Sequence, residues 1–218
     1  MKDARSWVQK KLSEKGYSSR RLPPCQLEIE RDKYPPARIL CIGLDSGETL
    51  DAPAVDDLLA QVPEVGFIVV LPTRIGHSAY ERADERGICV AGFGELQDAL
   101  EGDEDIARHI DSQEQYERKR LVNSRWVESI KRRGHHAYTI ERRELRPLTI
   151  VTTNEYEFTV DELYTLLDEY AGIEPDLIVV TNPNCHGLSS ESVEASERSG
   201  VPIALFNDFL GDLGVEWK

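Results

Sequence analysis

Two clusters of basic side chains are the residues of this sequence whose chemistry is easiest to name. Lysine and arginine grouped on one element neutralise backbone phosphates and release counterions, which is typical of nucleic-acid binding. The sequence predicts that five cations near the amino terminus and nine in the middle of the chain contact nucleic acid, with DNA as the expected partner: Lys10, Lys11, Lys15, Arg20, Arg21, Arg118, Lys119, Arg120, Arg125, Lys131, Arg132, Arg133, Arg142 and Arg143.

The charge of the whole chain makes the position of these cations important. The net charge is -14, with 40 acidic against 26 basic side chains, so the overall field repels nucleic acid unless the cations are segregated. Residues 1–38 hold 10 Lys and Arg against 5 Asp and Glu, and residues 118–146 hold 10 against 3, so the cations are segregated. The alternative interpretation is that the charged surfaces are only solvated and keep the protein soluble.

The four cysteines do not have the spacing of a metal site. Cys41 and Cys89 lie inside apolar runs, where a reduced thiol behaves as a small buried hydrophobe. Cys185 stands beside His186, but two further ligands at zinc-like spacing are missing from the sequence around it. The sequence therefore predicts neither a bound metal nor another cofactor.

The elements that carry these residues follow one pattern, which occurs twice. The apolar run at residues 67–70 leads through a polar helix to the apolar run at 87–93, and residues 177–180 lead in the same way to 200–206. Val70 and Val180 stand 110 positions apart. Repetition at a fixed separation is the signature of tandem duplication. The halves are expected to be α/β repeats that pack as an internal pseudo-dimer.

Each half is predicted to contain a helix, a strand hairpin, a third strand, a helix, a strand, a helix, a strand and a short helix. In the second half the first helix is assigned to residues 126–134, because Trp126-Val127 resembles Trp7-Val8 of the first helix. The predicted domains are residues 1–100 and 123–218, and residues 101–122 are assigned to an acidic, helical linker.

This order of elements resembles the restriction-endonuclease-like fold, in particular its Mrr-type branch. The residues that carry the resemblance are Trp7-Val8 through Leu12 to Gly16-Tyr17, and residues 67–73 through Ala79 and Ala83 to Gly87-Ile88 and Leu96. The resemblance implies two tandem endonuclease-like domains. In that family a nuclease uses an acid on the second strand, an acid or Gln two residues before a lysine on the third, and usually a helix-one Glu. The carboxylates hold Mg²⁺, and the lysine helps to activate water.

The sequence departs from this pattern at the third strands. Residues 38–42 and 148–152 contain neither a lysine nor a carboxylate, and Arg38 cannot act as a base because guanidinium keeps its proton. The resemblance therefore implies a protein that no longer cleaves. Glu30 and Glu141, which match the second-strand acid, and Asp32 are the remaining candidates for catalysis.

Three functions remain open at this stage. The leading hypothesis is a catalytically degenerate nuclease-fold protein that binds DNA, or a DNA-associated partner, through duplicated basic faces. The first alternative is a divergent endonuclease that uses Mg²⁺, and the second is a protein-binding module without nucleic-acid contact. No window of 18 apolar residues and no signal-like amino terminus is present, so a cytoplasmic protein without membrane contact is expected.

Overall fold

The computed structural model describes residues 4–217, and the chain divides into two compact units between Asp111 and Ser112. The first unit contains α1 (Ala4–Glu14), β1 (Ser19–Leu22), β2 (Gln26–Ile29), β3 (Ala37–Gly43), α2 (Ala52–Gln61), β4 (Phe67–Leu71), α3 (His77–Arg86), β5 (Cys89–Ala91), α4 (Phe93–Gly102) and a 3₁₀ turn (Ile106–Arg108).

The second unit contains α5 (Ser112–Val122), β6 (Val127–Gly134), β7 (Ala137–Arg142), β8 (Leu145–Thr153), α6 (Val160–Glu169), β9 (Leu177–Val180), α7 (Ser190–Ser199), β10 (Ile203–Leu205) and α8 (Phe206–Gly211). None of the helices within residues 4–217 is both long enough and apolar enough to cross a membrane.

Each unit is built on a five-stranded mixed sheet. The strand order is β1-β2-β3-β4-β5 in the first sheet and β10-β9-β8-β7-β6 in the second. The first three strands of each unit pair antiparallel, and the last two continue in parallel from the third. The prediction of two similar α/β halves is confirmed at this level.

The apolar runs in the sequence are strands covered on both faces. In β4, Phe67 belongs to the core on the α1 and α4 side, whereas Ile68 belongs to the core on the α2 and α3 side. Leu177 and Ile178 of β9 divide in the same way between two cores of the second unit. A parallel strand that is buried on both faces needs a continuous apolar run, which explains why these segments do not alternate.

The helices that cover one face of each sheet, α2 and α3 in the first unit and α6 and α7 in the second, begin and end in similar ways. The side chain of Asp51 accepts a hydrogen bond from the Ala54 N–H at the start of α2, and Thr159 caps α6 through the Glu162 N–H. Gly87 and Gly200 end α3 and α7 in the left-handed region, with φ of 67° and 78°.

The prediction of a helix over residues 126–134 is wrong, because this segment is the edge strand β6. A register shift between Val127 and Ser129 changes the alternation of the strand, so that Val127 and Ile130 both pack on the α5 side. A β-bulge of this kind gives apolar residues the three-residue spacing that is otherwise typical of a helix. The helix that opens the second unit is α5, which lies within the segment that was predicted to be a linker.

Candidate functional site

Two carboxylates on α5 are completely buried in the core of the second unit. Glu114 and Glu117 both have 0% of their surface exposed, and with Leu121 they form the buried face of the helix. A charged group in a protein interior is tolerated only where other groups pair or hydrogen-bond it. We call the set formed by these two residues and the partners described below the buried carboxylate cluster: Glu114, Glu117, Arg132, Tyr138, Thr152 and Thr181.

Four donors surround the carboxylate of Glu117. Its Oε2 accepts hydrogen bonds from the Tyr138 hydroxyl at 3.1 Å and from Thr152 Oγ1 at 2.8 Å. Its Oε1 accepts from Thr181 Oγ1 at 3.0 Å and from Gln113 Nε2 at 2.9 Å. Thr152 lies near the end of β8 and Thr181 directly follows β9, so the site lies at the carboxyl ends of the parallel strands.

Glu114 is held mainly by arginine. Its Oε2 lies 2.9 Å from Nη2 of Arg132 on β6, and its Oε1 accepts a hydrogen bond of 3.5 Å from Arg118 one turn along α5. The Arg132 side chain is only 11% exposed. Sequence analysis placed Arg132 among the residues that contact nucleic acid, but the structure directs its charge towards the core.

Tyr138 remains a neutral donor in this environment. Burial raises the pKa of its hydroxyl well above the ordinary value of 10, and the nearby charges of Glu114 and Glu117 raise it further, against the effect of Arg132. The hydroxyl therefore keeps its proton and donates a hydrogen bond to Glu117. The cluster can hold a buried negative charge in place without exposing it to solvent.

The first unit has apolar side chains at the positions of Glu117 and its three hydroxyl donors. Val8 precedes Leu12 by four residues on α1, just as Glu117 precedes Leu121 on α5. Leu27 corresponds to Tyr138, because their strand partners are Ile39 and Ile150. Cys41 corresponds to Thr152, because their partners are Val69 and Val179. Leu71 follows Val70 as Thr181 follows Val180. The buried carboxylate cluster is therefore a property of the second unit.

Arg142, which the sequence predicts to contact nucleic acid, is not a surface residue. It is 3% exposed, and its Nη1 donates to the carbonyls of Leu213 at 3.0 Å and Val215 at 2.8 Å. Its Nε donates to the Arg146 carbonyl at 3.0 Å. Burial lowers the pKa of Arg142, but an arginine stays charged in this range. Its role is to bind the segment after α8 to the sheet.

Arg31 makes the matching contacts in the first unit. Its Nε donates to the Pro35 carbonyl at 2.8 Å, four residues along the chain, as Arg142 does to Arg146. Its Nη1 donates to the Asp103 carbonyl at 2.7 Å, in the segment after α4. Both arginines directly follow the apolar part of the second strand of their unit, and we call them the arginine clamps.

The remaining cations of the second unit stay closer to solvent. Arg125 lies over the ring of Trp126 at 4.9 Å, and Arg143 lines the same open cleft of about 670 Å³. Gly214 packs so closely on the Trp126 indole that a Cβ would lie 2.3 Å from it, which holds the ring in place. Glu128 and Glu144 also line this cleft. Three further residues are exposed or half-buried on α5 and β6, namely Lys119, Lys131 and Arg133.

The predicted cations of the first unit lie on α1, β1 and the turn between them. Nζ of Lys11 lies 2.7 Å and Nζ of Lys10 4.0 Å from the Glu14 carboxylate. Arg20 pairs with Glu28 at 2.5 Å across the β1–β2 hairpin. Arg21 donates hydrogen bonds to the neutral side chains of Gln9 and Ser6, and Lys15 lines a cleft.

The candidate catalytic acids do not all lie together. Glu30 and Asp32 line one open cleft of about 500 Å³ in the first unit, with Lys15 and Lys33. Glu141 is an exposed residue of β7 in the second unit, opposite Ser129 on the neighbouring strand.

Sequence analysis did not find the buried carboxylates of α5. The signal that could have revealed this helix is its helical spacing, since Glu114, Glu117 and Leu121 recur at positions i, i+3 and i+7. Carboxylates at two of these three positions hid the pattern, because the buried face of a helix is normally recognised by apolar side chains.

The fold and the sites define the protein as a mixed α/β chain of two similar units. One unit has a buried carboxylate cluster, and each has cations on its first helix and on the outermost antiparallel strand. No protein-family model, curated protein or solved structure matches the chain.

Proposed function

We propose that the protein is a catalytically degenerate member of the restriction-endonuclease-like class that binds nucleic acid, with DNA or a DNA-associated partner as its target. The observation that carries the proposal is that the first helix and the edge hairpin of each unit, with the turns beside them, present exposed or half-buried cations on an otherwise acidic chain. We call these surfaces the first basic face (Lys10, Lys11, Lys15 and Arg21) and the second basic face (Lys119, Arg125, Lys131, Arg133 and Arg143).

Tandem duplication of an ancestral unit is part of this proposal. The arginine clamps support it, because Arg31 just after β2 and Arg142 at the end of β7 both bind carbonyls beyond the last helix of their unit. The equal order of elements and of strands supports it as well. Packing of the two repeats as an internal pseudo-dimer stays a prediction.

The buried carboxylate cluster supports the loss of cleavage. In the family that the chain resembles, a helix-one Glu cooperates with metal-binding acids and a lysine on the second and third strands. Here Glu117 of α5 meets hydroxyl groups on those strands, from Tyr138 and Thr152, which donate hydrogen bonds. These neutral donors stabilise the carboxylate by hydrogen bonds. The first unit has Val8 at the helix position.

The test is a titration of fluorescent duplex DNA with the purified protein at low and moderate salt, with and without Mg²⁺, followed by a gel of the same samples. We expect binding that weakens with salt, with a slope of about 0.9 in log K per log salt for each phosphate contact, and intact DNA. The variant Lys131→Glu/Arg143→Glu should bind at least about tenfold more weakly. A matched control is Arg198→Glu on α7, an exposed arginine outside the basic faces, which should bind as wild type.

Two results would contradict the proposal. Absence of binding at low salt would favour the alternative of a protein-binding module. An equal response of Lys131→Glu/Arg143→Glu and Arg198→Glu would show that the second basic face has no special role.

One observation favours a second candidate function, a divergent metal-dependent nuclease. Glu30 and Asp32 share a cleft with Lys15 and Lys33, which is a set of two carboxylates and two lysines. Carboxylates can hold Mg²⁺ beside a lysine that stabilises a developing charge. This function predicts nicking with Mg²⁺ or Mn²⁺ that Glu30→Ala abolishes and Glu141→Ala does not. Intact DNA with both metals would exclude it.

A further inference from the structure

The first helix of each unit carries an exposed aromatic ring followed by two cations at the same spacing. In α1 the ring is Trp7 and the cations are Lys10 and Lys11, and in α5 the ring is Tyr116 and the cations are Lys119 and Arg120. Residues at i, i+3 and i+4 lie on one face of a helix, so each ring lies beside its two cations. We call each set a ring-and-cation module.

The last helix of each unit supports its ring in the same way. Trp7 packs edge-on against Phe93, the first residue of α4, with ring centroids 5.2 Å apart and an interplanar angle of 80°. Tyr116 packs against Phe206, the first residue of α8, at 5.9 Å and 61°. An edge-on contact holds a ring while it leaves much of the ring face uncovered.

Trp7 and Tyr116 both keep more than a third of their surface exposed. Trp7 is 44% exposed and Tyr116 is 38% exposed, although each touches a phenylalanine. The guanidinium of Arg120 lies over the Tyr116 ring, 5.8 Å from its centre, and donates hydrogen bonds to the Tyr116 hydroxyl at 3.1 Å and to Asn207 Oδ1 at 2.9 Å. A positive charge is thereby fixed over one face of the Tyr116 ring.

Glu14 is the acidic group that competes for the cations of the first module. It pairs with Lys11 at 2.7 Å and lies 4.0 Å from Lys10. All three side chains are at least 41% exposed, so these pairs are weak and a phosphate can replace the carboxylate.

We infer that each ring-and-cation module binds single-stranded nucleic acid, with a base stacked on the exposed ring and the adjoining phosphate paired with the two cations. The inference rests on the proposed function, nucleic-acid binding, and narrows its substrate class. Single strands fit because their bases can leave the stack and cover an aromatic side chain, whereas the bases of a duplex are covered by their neighbours. Two modules in one chain provide two such contacts.

The experiment compares a labelled oligothymidylate with a mixed-sequence duplex of the same length, by fluorescence anisotropy at low salt with the full chain. We expect Trp7→Leu and Tyr116→Leu each to weaken binding of the single strand about tenfold, with little change for the duplex. The conservative variant Trp7→Phe should keep most of the affinity. The control is Tyr164→Leu on α6, whose ring is 50% exposed outside the modules, and it should bind as wild type.

Several outcomes would overturn the inference and are distinct from failure of the proposed function. If the duplex binds in a salt-sensitive manner while Trp7→Leu and Tyr116→Leu bind the oligothymidylate as wild type, the modules are only packing contacts. Equal losses for single strand and duplex would remove the preference for single strands. Failure of both nucleic acids to bind would reject the proposed function itself. Circular dichroism of every variant confirms that the losses are not caused by unfolding.

Discussion

Glu117 occupies the position on α5 that Val8 occupies on α1, and both side chains are completely buried. The difference between a carboxylate and an isopropyl group is accommodated by the strands beneath, since Tyr138, Thr152 and Thr181 supply the hydroxyl donors. Each of these hydroxyls has a desolvation cost that its hydrogen bond to Glu117 offsets. The four residues therefore form one hydrogen-bonded group.

The first prediction concerns this hydrogen-bonded group. Glu117→Val should lower the free energy of unfolding by about 3 kcal/mol, because the buried Tyr138 hydroxyl loses its acceptor and the hydroxyls of Thr152 and Thr181 lose the charged one of their two acceptors. Adding Tyr138→Leu, Thr152→Cys and Thr181→Leu, which reproduce the residues of the first unit, should recover most of the loss. Urea unfolding followed by circular dichroism measures both variants. A combined variant that is no more stable than Glu117→Val would show that the hydroxyls do not depend on Glu117.

His109 gives the first unit a dependence of stability on pH. Its Nδ1 lies 2.6 Å from the Asp103 carboxylate and its Nε2 lies 2.9 Å from Glu95. Burial lowers the pKa of the imidazole, but the hydrogen bonds to Asp103 and Glu95 outweigh it, so the pKa is raised above 6.5. A raised pKa in the folded state means that the protonated form stabilises the fold.

The second prediction follows from the sign of this shift. The stability from His109 should be fully present below a pH of about 6.5, the unfolded value, and should disappear as the pH rises through the folded pKa. The difference in urea midpoint between wild type and His109→Gln should shrink over that interval. His186→Gln, an exposed histidine of the second unit, is the control. A difference that is constant or grows with pH would contradict the assignment.

At the scale of elements, the arginine clamps determine how the last helix of each unit is held. Arg142 at the end of β7 binds the carbonyls of Leu213 and Val215 after α8, and Arg31 binds the Asp103 carbonyl after α4. A guanidinium suits this task because its donors diverge in a fixed plane and can reach several carbonyls at once. Lysine has the same charge but not this geometry.

The third prediction tests the clamp with adjacent residues. Arg142→Lys should lower the free energy of unfolding by about 2 kcal/mol, because buried carbonyls lose their donors. Its neighbour Arg143 is exposed and lines an open cleft, so Arg143→Lys should change stability by less than about 0.5 kcal/mol. Chemical denaturation of the two variants compares them directly. Similar losses for both would contradict the assignment of Arg142.

The edge strands have a structural need for cations as well. β1 and β6 are outermost in their sheets, and Lys and Arg on such strands discourage pairing with another chain. Arg20 on β1 already pairs with Glu28 on β2. A loss of binding after charge reversal therefore supports a nucleic-acid contact only if the variant does not aggregate. Light scattering of Lys131→Glu/Arg143→Glu would detect aggregation.

At the scale of the whole molecule, two units have the same order of elements and strands but fill several interior positions differently. The first unit has the apolar residues Val8 and Leu27 where the second has Glu117 and Tyr138. Two of the cations that the sequence predicts for the surface of the second unit, Arg132 and Arg142, are directed inward. Because the net charge is -14, the proposed nucleic-acid binding would depend on the few cations that remain on the surface.

The sequence by itself determined the strands at residues 67–70 and 177–180, the helices after them and the division into two similar halves. These features depend on local periodicity and on apolar runs, which are independent of what lies across the core. The helix α5 and the strand β6 could not be recognised in this way. The buried face of α5 carries Glu114 and Glu117, and a bulge gives β6 the spacing of a helix.

Only the tertiary structure decided which charges face solvent. Glu30, which follows β2, and Glu141, which lies near the end of β7, are exposed. Glu117 is buried because Tyr138 on β7, Thr152 on β8 and Thr181 after β9 converge on it. In the same way Arg142 and Arg143 are adjacent in the chain but differ in burial. The burial of a charge depends on partners that are distant in sequence, and their convergence is a property of the folded chain.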